Sequence, residues 1–196
     1  IVRRVEGKDE SPMLAIGIGL LAASGFALKH YFAVIPFMLE IWLLAVARRK
    51  YRPFRPETLA VAAVALCYAA AVFLLARDYL DRQLPMVFAA YDGYSKPWPF
   101  MFDDREQLLW LFCLITVMAY GWLRRSNFTP LLVGLIIATS GFLYSYFAQQ
   151  KGWVYHSMPV TYFLILALLA VATQSMQTKA DILRRPLLVL TLLCGY

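Results

Sequence analysis

Charge is scarce in this chain. Of 196 residues 16% are charged, only 12 are acidic, and there are two histidines, His30 and His156. A soluble domain carries about 25% charged and 45–50% apolar residues. Here 61% are apolar, and they lie in long runs. A run of about 18 or more almost uncharged residues reads as a transmembrane helix. The runs lack the period-two alternation of a membrane barrel, and a helix satisfies its own backbone hydrogen bonds in lipid. The expected fold is therefore all-α, a polytopic transmembrane helix bundle.

Other absences narrow the function. The three cysteines, Cys67, Cys113 and Cys194, all lie inside apolar runs and have no disulfide or metal spacing. No Ser/His/Asp order, phosphate-binding glycine loop or metal-spaced Cys/His set occurs. The chain shows no start methionine or signal peptide and stops within an apolar run. The expectation is a portion of a longer protein. The net charge of +7 does not point to nucleic acid, because the cations sit in short clusters between apolar runs, as the positive-inside rule requires.

Six spans are expected, at about Pro12–Leu28, Phe32–Ala47, Thr58–Ala76, Leu108–Leu123, Phe128–Ala148 and Val160–Gln174, with a truncated seventh from about Pro186. They form a single transmembrane domain over residues 1–196. One set of loops, about 1–11, 48–57, 124–127 and 175–185, holds Arg3, Arg4, Lys8, Arg48, Arg49, Lys50, Arg52, Arg55, Arg124, Arg125, Lys179, Arg184 and Arg185. The other set, about 29–31, 77–106 and 149–158, holds only Lys29, Arg77, Arg82, Lys96, Arg105 and Lys151. The richer set faces the cytoplasm.

The outward loops hold the candidate site. Lys29 and His30 join two short spans with almost no loop, which puts Lys29 at the outer interface. It reads either as a snorkelling lysine or as a cation held for a lipid phosphate. The loop of about Arg77–Glu106 is long and aromatic. Its rings read as interface belt residues or as a sugar- or lipid-binding lip, and "LPMVFAAY" as a short interfacial helix. Asp103 and Asp104 form an adjacent carboxylate pair. They read as weak ligands for a divalent cation, as a base, or as a cap for the following helix. No other metal site is expected. Glu40 is the carboxylate set well inside an apolar run, a functional candidate by default, or a residue paired within the bundle or simply packed near the inner side, and it lies too deep to meet an outward substrate directly. "QQKGWVYHSMP" brings Lys151, Trp153, Tyr155 and His156 into one turn around Gly152, with Pro159 opening the next span. Its donors suit phosphate or sugar hydroxyls, and its rings equally suit an interfacial anchor.

Two stretches carry a family resemblance. "GIGLLAASGFALKHYFAVIPFMLEIWLL" resembles the short-helix pair of GT-C-fold, polyprenyl-phosphate-dependent membrane glycosyltransferases, with Gly17, Gly19, Gly25, Leu28, Lys29, Pro36 and Glu40 on the pattern and His30 where proline is common. "KGWVYHSMP" is similar to an outward turn of bacterial proteins of this type. The resemblance implies transfer of a sugar, hexosyl or pentosyl, from a polyprenyl-phosphate carrier to an acceptor on the outer face of a bacterial inner membrane. It implies carrier-phosphate contact by Lys29, and donor or acceptor contacts by Lys151, Tyr155 and His156. The family's catalytic carboxylate lies in a first outward loop, and no matching stretch occurs here. A polysaccharide polymerase or ligase, a transporter or lipid flippase, and a non-catalytic membrane subunit are the rival readings. The flippase requires further charged mid-span residues and broken helices in matching halves.

Overall fold

The computed structural model describes residues 1–102, 105–123 and 128–177. The expected seventh span and the carboxylates Asp103 and Asp104 lie outside these. Helices α1 (Val2–Val5), α2 (Pro12–Leu28), α3 (Val34–Ala47), α4 (Pro56–Leu75), α5 (Leu84–Asp92), α6 (Arg105–Leu123), α7 (Pro130–Gln149) and α8 (Val154–Gln177) follow in order, with no strand among the described residues. Tyr31–Lys50, Pro56–Leu75, Glu106–Leu123, Pro130–Gln149 and Val154–Gln174 are long and apolar enough to cross a membrane, and Pro12–Ala27 is a shorter apolar helix. The chain is thus an all-α, multi-pass membrane protein, and each of the six expected spans falls on one of these helices.

Helix starts follow local chemistry. Ser11 accepts from the Leu14 N–H at 3.3 Å and Thr129 from the Leu132 N–H at 3.4 Å. Pro12, Pro56 and Pro130 occupy the first helical turns, where a missing N–H costs nothing. The expected interfacial helix forms as α5, preceded by a π-turn at Tyr79–Gln83. "WPFM", bracketed by prolines, forms a 3₁₀ turn at Trp98–Met101.

The chain divides into two compact units, residues 3–95 and the residues from Lys96 onward together with Ile1 and Val2. In the first, α2 packs along α4. Ala15, Gly19 and Ala23, spaced four apart, form the buried stripe of α2. A Cβ on Gly19 would stand 2.5 Å from the Glu57 carbonyl oxygen. Lipid is as apolar as leucine, so helices in it associate through close packing of small residues. A larger residue at Gly19 would force α2 and α4 apart.

In the second unit α6, α7 and α8 pack together. Trp110, Cys113, Val117, Leu132, Val160, Leu164, Leu168 and Val171 fill the core. On α7 the small residues Gly134, Ala138, Gly141 and Ser145 are buried at helical spacing, which again lets backbones approach. Gln107, near the start of α6, donates to the Tyr146 hydroxyl at 2.8 Å. The starts of α6 and α8 and the end of α7 therefore meet at one end of this unit.

Candidate functional site

That end carries a concentration of polar side chains rare in so apolar a chain. Gln107, Ser145, Gln149, Lys151, His156 and Ser157 are all buried. Several are satisfied locally. Gln149 Nε2 donates to the Ser145 carbonyl at 2.8 Å, and Ser157 Oγ to the Val154 carbonyl at 2.7 Å. Trp110 meets Tyr146 edge-on at 5.4 Å. Burying polar groups is costly unless each is bonded, so a cluster at a helix-bundle end marks the place where specific chemistry is tolerated.

The turn at 150–153 shapes this end. Gln150 ends α7 in the left-handed region (φ 49°, ψ 28°), and Gly152 is also left-handed (φ 63°). Two such residues fold the chain back within four positions. The Gln150 carbonyl accepts from the Lys96 N–H at 2.6 Å. The Lys96 side chain then lies across Gly152, its Nζ 2.8 Å from where a Cβ would stand. Only glycine leaves that space. Among the described residues no carboxylate pairs with Lys96. A second cation is thus laid on the turn that carries the buried Lys151.

The aromatic residues sort into two roles. Trp153 and Tyr155 stack at 5.7 Å and 29°. Both border an open depression of about 580 Å³ with Gly152 and Val154. His156 stands behind them, edge-on to Tyr155 at 4.2 Å and 5.3 Å from Trp153, and only 4% exposed. Part of the long loop before α6 packs here too. Met101 is fully buried, and Phe102 stacks on Phe147 at 4.8 Å, with Trp98 at 6.4 Å from the same ring. Those two rings are held by packing although each remains exposed.

The structure places the expected residues unevenly. Lys151, Trp153, Tyr155 and His156 come together as expected, but Tyr155 and His156 sit on the first turn of α8, which begins at Val154. The loop read as 149–158 is shorter than expected, and Pro159 lies inside the helix instead of opening it. Ser157 Oγ donates to the Val154 carbonyl and Thr161 Oγ1 to the Ser157 carbonyl on either side of the proline, so both hydroxyls are satisfied within the helix itself. Lys96, Gln107, Tyr146, Gln149 and Ser157 were not expected.

Lys29 and His30 belong to the first unit. Lys29 ends α2, and His30 opens a 3₁₀ turn, His30–Ala33, that leads into α3. The Lys29 ammonium lies 5.3 Å from the centre of the Phe32 ring. Its burial pulls the amine below its ordinary pKa.

Glu40 proves to be an ion-pair partner. It pairs with Arg55, accepts from the Tyr51 hydroxyl at 3.1 Å, and sits in a chain of charges that continues through Glu57 to Arg4. Arg55 Nε is 3.0 Å and Arg4 Nε 3.1 Å from the same Glu57 oxygen. Hydrogen bonding to Glu57 raises Arg4 above its ordinary value. Arg55 also donates to the Arg52 carbonyl at 2.9 Å and lies 5.5 Å from the Tyr51 ring. Among the described residues no group of three His, Cys, Asp or Glu side chains converges on a metal position. No protein-family profile matches the chain, and neither the curated proteins nor the solved structures contain a significant match to it.

Proposed function

We propose that this chain is part of an integral glycosyltransferase of the bacterial inner membrane, which moves a sugar from a polyprenyl-phosphate carrier to an acceptor on the outer face. The observation that carries the reading is the Lys96 ammonium laid over Gly152 beside Lys151, next to the stacked Trp153–Tyr155 pair. A lysine holds a phosphate as a point charge. A flat aromatic pair offers a face to a sugar ring.

The division of labour follows. The acceptor oxygen bonds to the anomeric carbon, and the bond from that carbon to the phosphate oxygen breaks. Negative charge grows on the phosphate, and cations fixed beside it lower the barrier. The acceptor proton goes to a carboxylate base, which the family resemblance puts in a first outward loop. Lys29 supplies a further outward cationic position on the first unit. The Glu40–Arg55 pair counts against the transporter reading. A coupling carboxylate must be available to an ion, and Glu40 is already bonded to Arg55 and Tyr51.

The test is binding of a short-chain polyprenyl phosphate to the detergent-purified protein, followed by sugar transfer in membranes. Lys96→Ala is expected to weaken binding about tenfold, near 1.4 kcal/mol, with folding unchanged because Lys96 is exposed. Wild-type binding and transfer in Lys96→Ala and His156→Ala would remove this turn from the reaction.

A further inference from the structure

A second feature lies at the opposite kind of loop, in the first unit. The segments 4–12 and 43–56 enclose a cleft of about 1390 Å³. Arg48, Arg49, Lys50 and Arg52 line it, and all four are exposed. The carboxylates along the same cleft are already engaged. Glu6 is 2.8 Å from Lys8, Asp9 pairs with Arg4, and Glu10 pairs with Arg3. The remaining cations of the wall, Arg4 and Arg55, are held by Glu57 and Glu40. Among the described residues no carboxylate pairs with Arg48, Arg49, Lys50 or Arg52. The cleft therefore gathers four cations without a carboxylate partner in one concave space, and it stays net positive although the paired set around it holds one more carboxylate than cations.

Its shape favours one kind of anion. The cations sit at the ends of helices α3 and α4, at the level where a span leaves the bilayer. Leu43, Val46 and Phe54 give the same cleft an apolar wall, and Phe54 is 81% exposed. Charge beside exposed apolar surface matches a molecule with a phosphate at one end and hydrocarbon at the other. Clusters of four or more basic residues directly beyond a span recognise anionic headgroups, and arginine forks hold phosphate oxygens in pairs.

We propose that this cleft binds the phosphate headgroup of an anionic phospholipid in the leaflet on the cation-rich side, with Arg48, Arg49, Lys50 and Arg52 as its ligands. The site is separate from the outward sugar-transfer reading and stands whether or not that reading holds.

Native mass spectrometry of the detergent-purified full chain tests it, titrated with phosphatidylglycerol and, in parallel, with phosphatidylcholine. The probe variant is R49Q/K50Q/R52Q. The charge control is R77Q/R82Q, whose cations lie on exposed helical turns paired with Asp81 and Asp78. The probe variant should lose phosphatidylglycerol about tenfold or more, because it removes cations clustered at one concave site, while the control, whose cations are already paired, loses less than about twofold. Equal losses in both variants would mean net charge alone and would overturn the site. Equal affinity of the wild type for the zwitterionic lipid would overturn it too. Inorganic pyrophosphate is the third arm. If it binds the wild type with the same variant dependence while phosphatidylglycerol does not bind, the cleft serves a soluble phosphate and the lipid assignment fails. Thermal unfolding of both variants checks that each is folded.

Discussion

The Lys96 ammonium occupies the space that any side chain at residue 152 would need, with its Nζ 2.8 Å from the Cβ position of Gly152. Gly152 also has φ 63°, a region that costs an L-residue about 1–2 kcal/mol. Gly152→Ala should therefore lower stability by about that amount and push Lys96 off the turn. Lys96→Met removes the charge without straining the backbone. Thermal unfolding in detergent should fall only for the first variant, whereas polyprenyl-phosphate binding should fall for both. Normal binding in Lys96→Met would leave Gly152 with a purely structural role.

Gln150 is the neighbouring strained position, and here the same physics predicts a gain. It ends α7 at φ 49° and ψ 28°, where glycine is the usual residue. Its backbone makes the contacts that matter, donating to the Phe147 carbonyl and accepting from the Lys96 N–H. Gln150→Gly keeps both and relieves the strain. Relief of the left-handed cost, about 1–2 kcal/mol, outweighs the chain entropy that a new glycine adds, about 0.5–1 kcal/mol, so stability should rise by a net of roughly 0.5 kcal/mol, seen as a slightly higher unfolding temperature. A loss would show that the Gln150 side chain contributes more than its backbone strain costs.

Lys29 predicts a pH dependence. Burial lowers its pKa below the ordinary 10.5, so at neutral pH folding holds a charged amine in a place that disfavours charge. The cost is present below the folded-state pKa. It fades as pH rises through that value and is gone above the unfolded value of 10.5. Lys29→Met should therefore be more stable than the wild type at pH 7, with the difference shrinking toward pH 10.5. The ring of Phe32, 5.3 Å away, offsets part of the cost. A constant difference across that range would mean that lost packing, not charge, sets the effect.

Much of this architecture is legible in the sequence because a membrane imposes a coarse rule. Apolar runs of span length can be counted, and each of the six lies on a helix. The boundary of α8 was missed because His156, Ser157 and Pro159 resemble a loop in composition, whereas the helix already begins at Val154 and Ser157 bonds back to its first residue. The long-range partners were illegible for a different reason. Lys96 and Gly152, or Gln107 and Tyr146, meet only after three helices have packed, and no local period encodes that. A readable signal did exist for the packing faces. Ala15–Gly19–Ala23 and Gly134–Ala138–Gly141–Ser145 place small residues at helical spacing, and in lipid that spacing marks the side that meets another helix.

Glu40 and Arg55 give the last prediction. Arg55 is 6% exposed in its side chain and Glu40 is 28% exposed, so the pair is largely out of water. Removing one partner of such a pair leaves the other charged and poorly solvated. Arg55 keeps Glu57 at 3.0 Å, which limits the damage. Glu40→Gln should cost about 1.5–3 kcal/mol, the range for a lost hydrogen bond to a charged group. Arg55→Met should cost more, because it strands Glu40 and also weakens Glu57's hold on the chain between α3 and α4. The double variant should be less destabilised than the sum, since replacing both charges leaves neither one stranded. Thermal unfolding of the four proteins closes the cycle. Strict additivity would show that the two groups do not interact, and Glu40 would return to the pool of residues available for an ion or substrate.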